Sequence, residues 1–272
     1  MGLLDRGIEI KTPEQIDGMR RAGLVVGQTL EVLRGSVRAG ISTAELDAIA
    51  EDSIRSSGAT PSFLGYHGFP GSICASVNDE VVHGIPGERV LADGDVISLD
   101  CGAIVNGWHG DAAITVAVGV VPPEVTELMR VTEEAMWRGI AAAHLGGRVT
   151  DISHAVERHV RSAGRYGIVE DYTGHGIGSE MHQPPDVPNH GRPGKGPKLV
   201  EGLALAVEPM ITLGTKETTL LDDDWTVVTD DGSWAAHFEH TFTLTPQGTW
   251  VMTALDGGEA ALSALGVPFG GR

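Results

Sequence analysis

Hydrophobic residues near the start of the chain recur every three or four positions, which is the spacing of one helical face. The first helix is predicted to begin after Thr12, because this hydroxyl residue is followed by proline and, three positions on, by Gln15. A second helix is predicted to begin after Ser42, which Glu45 follows at the same spacing, and to end near Gly58. The chain therefore opens with two capped helices.

The pattern then changes to strands, and the whole order of elements is repeated once. Strand-like runs cover residues 73–83, 96–105 and 108–118. Two more helices are predicted over about 125–146 and 149–163, and strands follow at 203–213, 225–229 and 236–244. We therefore predict two similar halves, residues 12–119 and 122–248, within one α/β (α+β) domain that spans residues 1–272. The segment 256–272 is expected to be a flexible tail.

The turn between the second and third predicted strands sets a local geometry. Asn106-Gly107 is a strong signal for a two-residue hairpin loop. Such a loop would place residue 100 opposite residue 113. Asp111 would then lie on the same face as Asp100 and diagonal to it, near enough for both side chains to reach a common ligand.

Carboxylates interrupt apolar, strand-like sequence at Asp100, Glu208 and Glu239. Burying a lone charge is costly, and none of the 19 lysines and arginines lies close to these positions along the chain. A bound metal is the simplest source of the positive charge that they need. With Asp111 and His175 they supply four carboxylates and one imidazole, a set that suits two hard or borderline divalent cations.

Composition narrows the class of protein further. The 272 residues carry a formal net charge of −18, which argues against a nucleic-acid-binding surface. The two cysteines, Cys74 and Cys101, have neither zinc-finger spacing nor a disulfide framework, so a reducing cytoplasm fits. No apolar run approaches the length needed for a signal peptide or a membrane span.

Five sequence motifs stand out along the chain, and they are SVNDEVVHGIP (76–86), SLDCGAIVNGWHGD (98–111), GHGIG (174–178) followed by His182, AVEPM (206–210) and FEHT (238–241). Together they resemble the motifs of type I methionine aminopeptidases in their short bacterial form. The resemblance covers about residues 8–248 and includes all five metal positions in order. It implies the pita-bread fold, a pseudo-twofold pair of helix-helix-strand halves with a dinuclear metal site between them.

The resemblance also implies how the metals are held. Asp111 and Glu239 would bridge the two cations, Asp100 would hold one of them through both oxygens, and His175 and Glu208 would complete the other. The ligand set tolerates Mn, Fe, Co and Zn, so the sequence leaves the identity of the two divalent cations open.

The same resemblance implies the catalytic roles. The nucleophile would be a metal-bridging water that attacks the peptide bond, and Glu208 would also carry the proton to the leaving amine. His182 would stabilise the tetrahedral intermediate, and His83 would hydrogen-bond the substrate near the scissile amide. Taken singly, each histidine is more simply explained as a hydrogen-bonded structural residue.

A methionine pocket is implied at four positions, which are Tyr66, Phe69, Cys74 and Trp225. Aromatic and sulfur walls suit an unbranched thioether. Phe63 and Met181 depart from the residues usual in the family, which affects the expected shape of the pocket and not its chemistry. The alternative for each of these side chains is ordinary core packing.

The sequence is therefore interpreted as that of a cytoplasmic, monomeric, metal-dependent hydrolase that removes the initiator methionine from chains with a small second residue. Its partners would be methionyl peptides and nascent chains, with transient ribosome contact and without nucleic-acid or membrane binding. The chain's own Met1, followed by Gly2, fits that substrate class. The rivals are an Xaa-Pro peptidase, which usually carries a preceding domain, and an inactive pita-bread protein that binds peptides.

Overall fold

Residues 7–272 are described by a computed structural model, in which pairs of helices alternate with groups of short strands. The α-helices are α1 (Pro13–Ser36), α2 (Thr43–Ser56), α3 (Pro123–Ala142), α4 (Val149–Ala163) and α5 (Glu259–Ala264). The strands are β1 (Thr60–Pro61), β2 (Ile73–Val77), β3 (Glu80–Val82), β4 (Val96–Val105), β5 (Trp108–Ala117), β6 (Gly167–Ile168), β7 (Gly174–Gly176), β8 (Gln183–Val187), β9 (Ala204–Val207), β10 (Met210–Thr212), β11 (Thr218–Leu220), β12 (Val227–Thr229), β13 (Ala235–His237), β14 (Glu239–Thr245) and β15 (Gly248–Val251). No helix within this range is long and apolar enough to cross a membrane. The expectation about Met1 concerns a segment outside the described residues.

The first two helices begin where the sequence predicts. The Thr12 hydroxyl accepts a hydrogen bond from the backbone N–H of Gln15, whose side chain accepts one from the N–H of Thr12 at 2.8 Å. Ser42 and Glu45 form the same reciprocal pair at the start of α2. Each pair satisfies backbone donors that a helix leaves unpaired at its first turn. Both predicted capping boxes are confirmed.

A nine-stranded sheet within residues 7–272 forms the centre of the fold. Its strand order is β1-β4-β5-β14-β9-β7-β8, with β2 also paired to β4 and β15 to β14. The predicted hairpin is confirmed, because β4 and β5 pair with Asp100 opposite Ala113. Helix α1 packs across these two strands, and α3 packs beside α4. The pairing of β5 with β14 joins the strands of the two halves.

Three of the predicted strands are each interrupted, so the expectation of continuous strands there is wrong. Residues 73–83 form β2 and β3, residues 203–213 form β9 and β10, and residues 236–244 form β13 and β14. Asn78 has a φ of 61° at the first break, which turns the chain. At the second break Glu208 precedes Pro209, whose nitrogen has no N–H for a strand ladder. On one side of each break the strand joins a smaller sheet, so that β10 and β13 lie in β13-β10-β6 and β3 lies in β11-β12-β3.

Strands β6, β7 and β8 are not predicted by the sequence pattern. β7 consists of Gly174, His175 and Gly176, and glycine is depleted in ordinary strands. β8 contains two prolines between Gln183 and Val187. Pairing of β7 with β9 nevertheless adds both strands to the central sheet and carries His175 into it.

The segment 256–272 is not the flexible tail expected from its composition. It contains α5, in which Leu262 is fully buried. Beyond the helix, Phe269 forms a bridge with Thr249, and the Gly270 N–H donates to the Thr249 carbonyl oxygen at 2.8 Å. Burial of one leucine and pairing with the end of the sheet hold this segment against the domain.

Helix α1 approaches the sheet closely at a glycine contact. A Cβ atom added to Gly110 on β5 would lie 2.7 Å from the backbone nitrogen of Gly23. A Cβ atom added to Gly23 would collide with the backbone carbonyl of Met252. Both positions therefore exclude larger side chains because backbone, and not a movable side chain, occupies the space.

We predict that Gly23→Ala destabilises the protein by about 1–3 kcal/mol or more, because the added methyl group forces α1 away from the sheet. Gly35→Ala is the matched control in the same helix. A Cβ atom at Gly35 meets nothing within 4 Å, so alanine should instead stabilise by about 0.5–1 kcal/mol through its higher helix propensity. Urea unfolding of both variants measures the difference, and equal effects would contradict the proposed contact.

Candidate metal centre and adjoining pocket

The central sheet brings all five predicted metal ligands to one cleft. Asp100 lies on β4, Asp111 on β5, His175 on β7, Glu208 directly after β9, and Glu239 at the start of β14. The other predicted site residues line the same cleft of about 550 Å³, and they are Tyr66, Phe69, Cys74, His83, His182 and Trp225. Residues that lie far apart in the sequence and come from both halves therefore meet at one place.

Strand register explains why the acidic residues meet. Ala113 on β5 pairs with Asp100 on one side and with Glu239 on the other, so the three residues form one row across the sheet. Asp111, two positions before Ala113, points to the same face. The alanine methyl group between the two carboxylates leaves that face open. The predicted diagonal placement of Asp100 and Asp111 is confirmed.

Distances within the cluster suit ligands of shared ions. His175 Nε2 lies 3.5 Å from Glu208 Oε1 and 4.0 Å from Glu239 Oε1. Ligand atoms of Asp111, His175 and Glu239 all lie within 4.8 Å of one another. Two ligands at about 2.1 Å from a tetrahedral ion are roughly 3.4 Å apart, so the 3.5 Å between His175 and Glu208 suits two ligands of one cation. His175 Nδ1 donates to the Gly176 carbonyl oxygen at 3.0 Å, which leaves the Nε2 lone pair facing the carboxylates.

Unpaired polar atoms provide a direct test of whether these residues fit metal. Asp100 Oδ1, Asp111 Oδ1 and Glu239 Oε1 are buried and find no hydrogen-bond partner within the described part of the chain. Leaving such atoms unpaired costs free energy. Divalent cations would pair with all three oxygens, so the donor set fits the two cations that the sequence implies.

The pKa values of the cluster follow from burial among like charges. Burial raises the pKa of Asp100 to about 7. Burial first, and neighbouring carboxylates second, raise the pKa of Asp111, Glu208 and Glu239 well above the ordinary range. Burial, with a smaller effect of His182, lowers the pKa of His175 to about 3 and keeps it neutral. Bound cations take the place of protons on such ligands, so metal binding and deprotonation are coupled.

His237 belongs to the same cluster, although the sequence reasoning did not single it out. Its Nε2 atom lies 3.7 Å from Glu208 Oε2, and the ligand atoms of Glu208, His237 and Glu239 fall within 4.8 Å of one another. The signal in the sequence is its position two residues before Glu239, because alternate residues of a strand point to the same face. The break at Phe238 obscures that signal.

An apolar pocket adjoins the carboxylates. Phe63, Phe69, Cys74 and Met181 form a buried cluster against which Tyr66, Ile85 and Trp225 pack. The rings of Phe69 and Trp225 meet edge to face at 5.0 Å. Phe63 and Met181, the two departures from the family pattern, are thus part of the wall of the pocket. Two sulfur atoms and several aromatic rings face the same small volume.

Two histidines, His83 and His182, line the same cleft as the pocket and the carboxylates. His182 lies with its ring centre 4.3 Å from that of His175, and its Nδ1 is 3.0 Å from the Tyr66 hydroxyl. His83 faces Trp225 and Tyr172 edge to face. Burial lowers the pKa of His83 to about 4, so its imidazole is neutral and can donate or accept one hydrogen bond.

The segment before α1 anchors the loop that carries His182. The Glu9 carboxylate accepts hydrogen bonds from the backbone N–H and the hydroxyl of Ser179. Lys11 is buried, and its ammonium group lies 3.5 Å from both the Glu9 carboxylate and the Gln183 side-chain oxygen. The Lys11 backbone N–H also donates to the Gly202 carbonyl oxygen, just before β9. This short segment therefore links the rim of the cleft to the central sheet.

Comparison of the sequence with known protein families and proteins agrees with the fold and the site described above. Residues 17–246 match metallopeptidase family M24, and the chain belongs to that family. It is 53% identical to the methionine aminopeptidase of Clostridium acetobutylicum over 247 residues, which is 90% of this chain and 98% of that protein. It is 52% identical to methionine aminopeptidase 1 of Mycobacterium tuberculosis over 254 residues, covering 91% and 96%.

A solved structure shows the same architecture. The methionine aminopeptidase of Thermotoga maritima superposes with a TM-score of 0.89 at 40% identity, covering 91% of this chain and 99% of that one. The resemblance read from the motifs, the pita-bread fold and the metal dependence are thereby confirmed.

We predict that Mn²⁺ raises the melting temperature more at pH 8 than at pH 6.5. In the metal-free protein, folding raises the pKa of the buried carboxyl groups, to about 7 for Asp100. Their protonation therefore favours the folded state at low pH, and this contribution to the free energy of unfolding is lost as pH rises through that pKa. Mn²⁺ needs the deprotonated form and competes better at higher pH. The buried histidines with lowered pKa, such as His175, change stability mainly below about pH 6.5.

Calorimetric scans of chelator-treated protein, with and without Mn²⁺, measure this increment across the window. An increment that stayed constant or shrank towards pH 8 would show that the carboxylates are not protonated in the metal-free fold.

Proposed function

We propose that this protein removes N-terminal methionine from peptides and newly made chains whose second residue is small. One observation carries this proposal: an apolar pocket with two sulfur atoms and aromatic walls opens directly beside a cluster of four carboxylates and one imidazole. Hydrolysis and selection of the side chain would take place in adjacent parts of one cleft.

The carboxylates and His175 would hold two divalent cations. Asp111 and Glu239 would be among the ligands, since each has one buried oxygen without a hydrogen-bond partner within residues 7–272. Asp100, His175 and Glu208 would supply the remaining ligands. When bound, such cations lower the pKa of water towards neutrality and polarise a carbonyl oxygen.

Side chains around this centre would supply the proton transfers and the hydrogen bonds. Glu208, whose carboxylate lies beside His175 in the cleft, would carry a proton to the leaving amine. His182, held by the Tyr66 hydroxyl at 3.0 Å, would stabilise the oxyanion that forms when the carbonyl carbon is attacked. His83 would hydrogen-bond the substrate near the scissile amide.

Selection of methionine is assigned to the pocket of Tyr66, Phe69, Cys74 and Trp225. A flexible thioether gains favourable contacts with aromatic ring edges and fills an irregular space well. Phe63 and Met181 add bulk to the same wall, which favours a long, unbranched side chain over a branched one. The pocket residues thus select the side chain, whereas the metal ligands act on the peptide bond.

We place this activity in the cytoplasm, on a monomer that contacts ribosomes transiently as chains emerge. Two free thiols, Cys74 and Cys101, suit a reducing compartment. The net charge of −18 argues against nucleic acid as a partner.

The protein should cleave a Met-Ala peptide and leave an Ala-Pro peptide intact, because alanine cannot fill the aromatic pocket. An Xaa-Pro peptidase, the rival on the same fold, would show the reverse order. Asp100→Asn is the control, because an amide supplies a weaker, neutral ligand and should abolish hydrolysis with little change in fold. Peptide assays with added Mn²⁺ or Co²⁺ measure both. Full activity of Asp100→Asn with every metal would contradict the assignment of Asp100 as a metal ligand. Absence of cleavage by the wild type would favour an inactive protein that binds peptides.

His182→Ala should lower kcat and kcat/KM together by about 10²- to 10³-fold, because the lost contact forms mainly in the transition state. Steady-state kinetics on the Met-Ala peptide measure this loss. If KM alone rose, His182 would be a simple substrate-binding group and not a stabiliser of the oxyanion.

A further inference from the structure

His237 occupies a fixed place behind the carboxylate of Glu208. Met210 pairs with His237, and Val207 pairs with His240. The same register therefore places Glu208 opposite Glu239 and diagonal to His237, although the strands are broken between these pairs. Diagonal side chains on one face are within reach of each other when one of them is long. His237 Nε2 accordingly lies 3.7 Å from Glu208 Oε2.

The backbone of His237 is held from the opposite half of the fold. Its N–H donates to Thr115 Oγ1 at 2.9 Å, and the Thr115 hydroxyl donates back to its carbonyl oxygen at 2.7 Å. The Ser98 hydroxyl lies 2.9 Å from Thr115 Oγ1 and can donate to it. Strands β4 and β5, which also carry Asp100 and Asp111, thus fix the backbone from which the imidazole extends.

The two oxygens of Glu208 face two different imidazoles. Oε1 faces His175 Nε2 at 3.5 Å, and Oε2 faces His237 Nε2 at 3.7 Å. His175 lines the cleft, whereas the His237 side chain is sealed beneath it with 2% exposure. His237 Nε2 also lacks a hydrogen-bond partner within residues 7–272. A buried donor without a partner costs free energy, and the nearest acidic oxygen is that of Glu208.

We propose that His237 is a positioning residue, whose Nε2–H donates to Glu208 Oε2 and turns Oε1 towards the metal centre. A neutral imidazole with its proton on Nε2 provides this donor. The two atoms must close by roughly 0.8 Å to form a hydrogen bond, a rotation about the last torsion of Glu208. This inference rests on the metal centre of the proposed function and adds the group that orients one of its ligands.

Two variants of similar size separate this role from simple packing. His237→Gln keeps an N–H donor near the position of Nε2, whereas His237→Leu fills the space without one. Loss of an outer hydrogen bond to a metal ligand typically costs about 10- to 100-fold in metal affinity. We therefore expect His237→Leu to bind Co²⁺ about 10- to 100-fold more weakly, and His237→Gln to bind close to wild type.

Titration calorimetry with Co²⁺ measures the affinities, and unfolding of the metal-free variants shows whether each is folded. His240→Gln is the control, because His240 lies on β14, points to the face opposite that of Glu239 and bonds Thr253 instead. Equal Co²⁺ affinity in wild type and a folded His237→Leu would overturn the proposal. Absence of Co²⁺ binding by the wild type would instead remove the metal centre itself.

Proton NMR of the Co²⁺ protein distinguishes positioning from ligation. A coordinated imidazole shows a strongly shifted, exchangeable N–H signal, and we expect one such signal, from His175, in wild type and in His237→Gln. Two signals in the wild type, with one lost in His237→Gln together with affinity, would make His237 a metal ligand and overturn the positioning role. Spectra unchanged in His237→Gln, with affinity kept, support it.

Discussion

Four carboxylates buried in one cleft repel each other, and this repulsion is the constraint around which the structure is arranged. A lone buried charge is costly, and four near each other are costlier still. The fold meets this cost with protons when metal is absent, as the raised pKa values of Asp100 and Asp111 show. Divalent cations meet it when present. The neutral His175 adds a ligand without adding to the repulsion.

Interrupted strands bring Glu208 and Glu239 to the cleft, whereas Asp100 and Asp111 reach it from the continuous strands β4 and β5. An unbroken ladder would have continued through Glu208 and Phe238, with both backbones paired to their neighbours. Pro209 instead removes a backbone donor directly after Glu208, and the chain enters a second, smaller sheet there. Carboxylates at such breaks can turn away from the regular pleat while the flanking strands stay rigid. The strands fix the position of each side chain, and the breaks allow it to point away from the regular pleat.

The parts of this arrangement that depend on local chemistry could be predicted from the sequence. Asn106-Gly107 sets the hairpin register, and with it the relation of Asp100 to Asp111, because turn geometry alone decides the pairing. The metal ligands and pocket residues could be proposed because they lie in recognisable motifs. Parts that depend on long-range packing could not. The tail around Leu262 is ordered by a surface that only the folded domain provides. His237 lies beside Glu208, some thirty positions away in the sequence, only because β10 pairs with β13. Strand propensity alone does not predict that pairing.

The link between Glu9, Lys11 and the loop of Ser179 and Gln183 has a consequence for turnover. None of these four residues lines the cleft, yet together they fasten the stretch of chain on which His182 is carried. If that fastening loosened, the metal ligands on the sheet would stay in place while the rim moved independently of them. The rates at which peptides are admitted and methionine is discharged would then change separately from the rate of bond cleavage. A segment outside the cleft would in this way control the rates of substrate entry and product release.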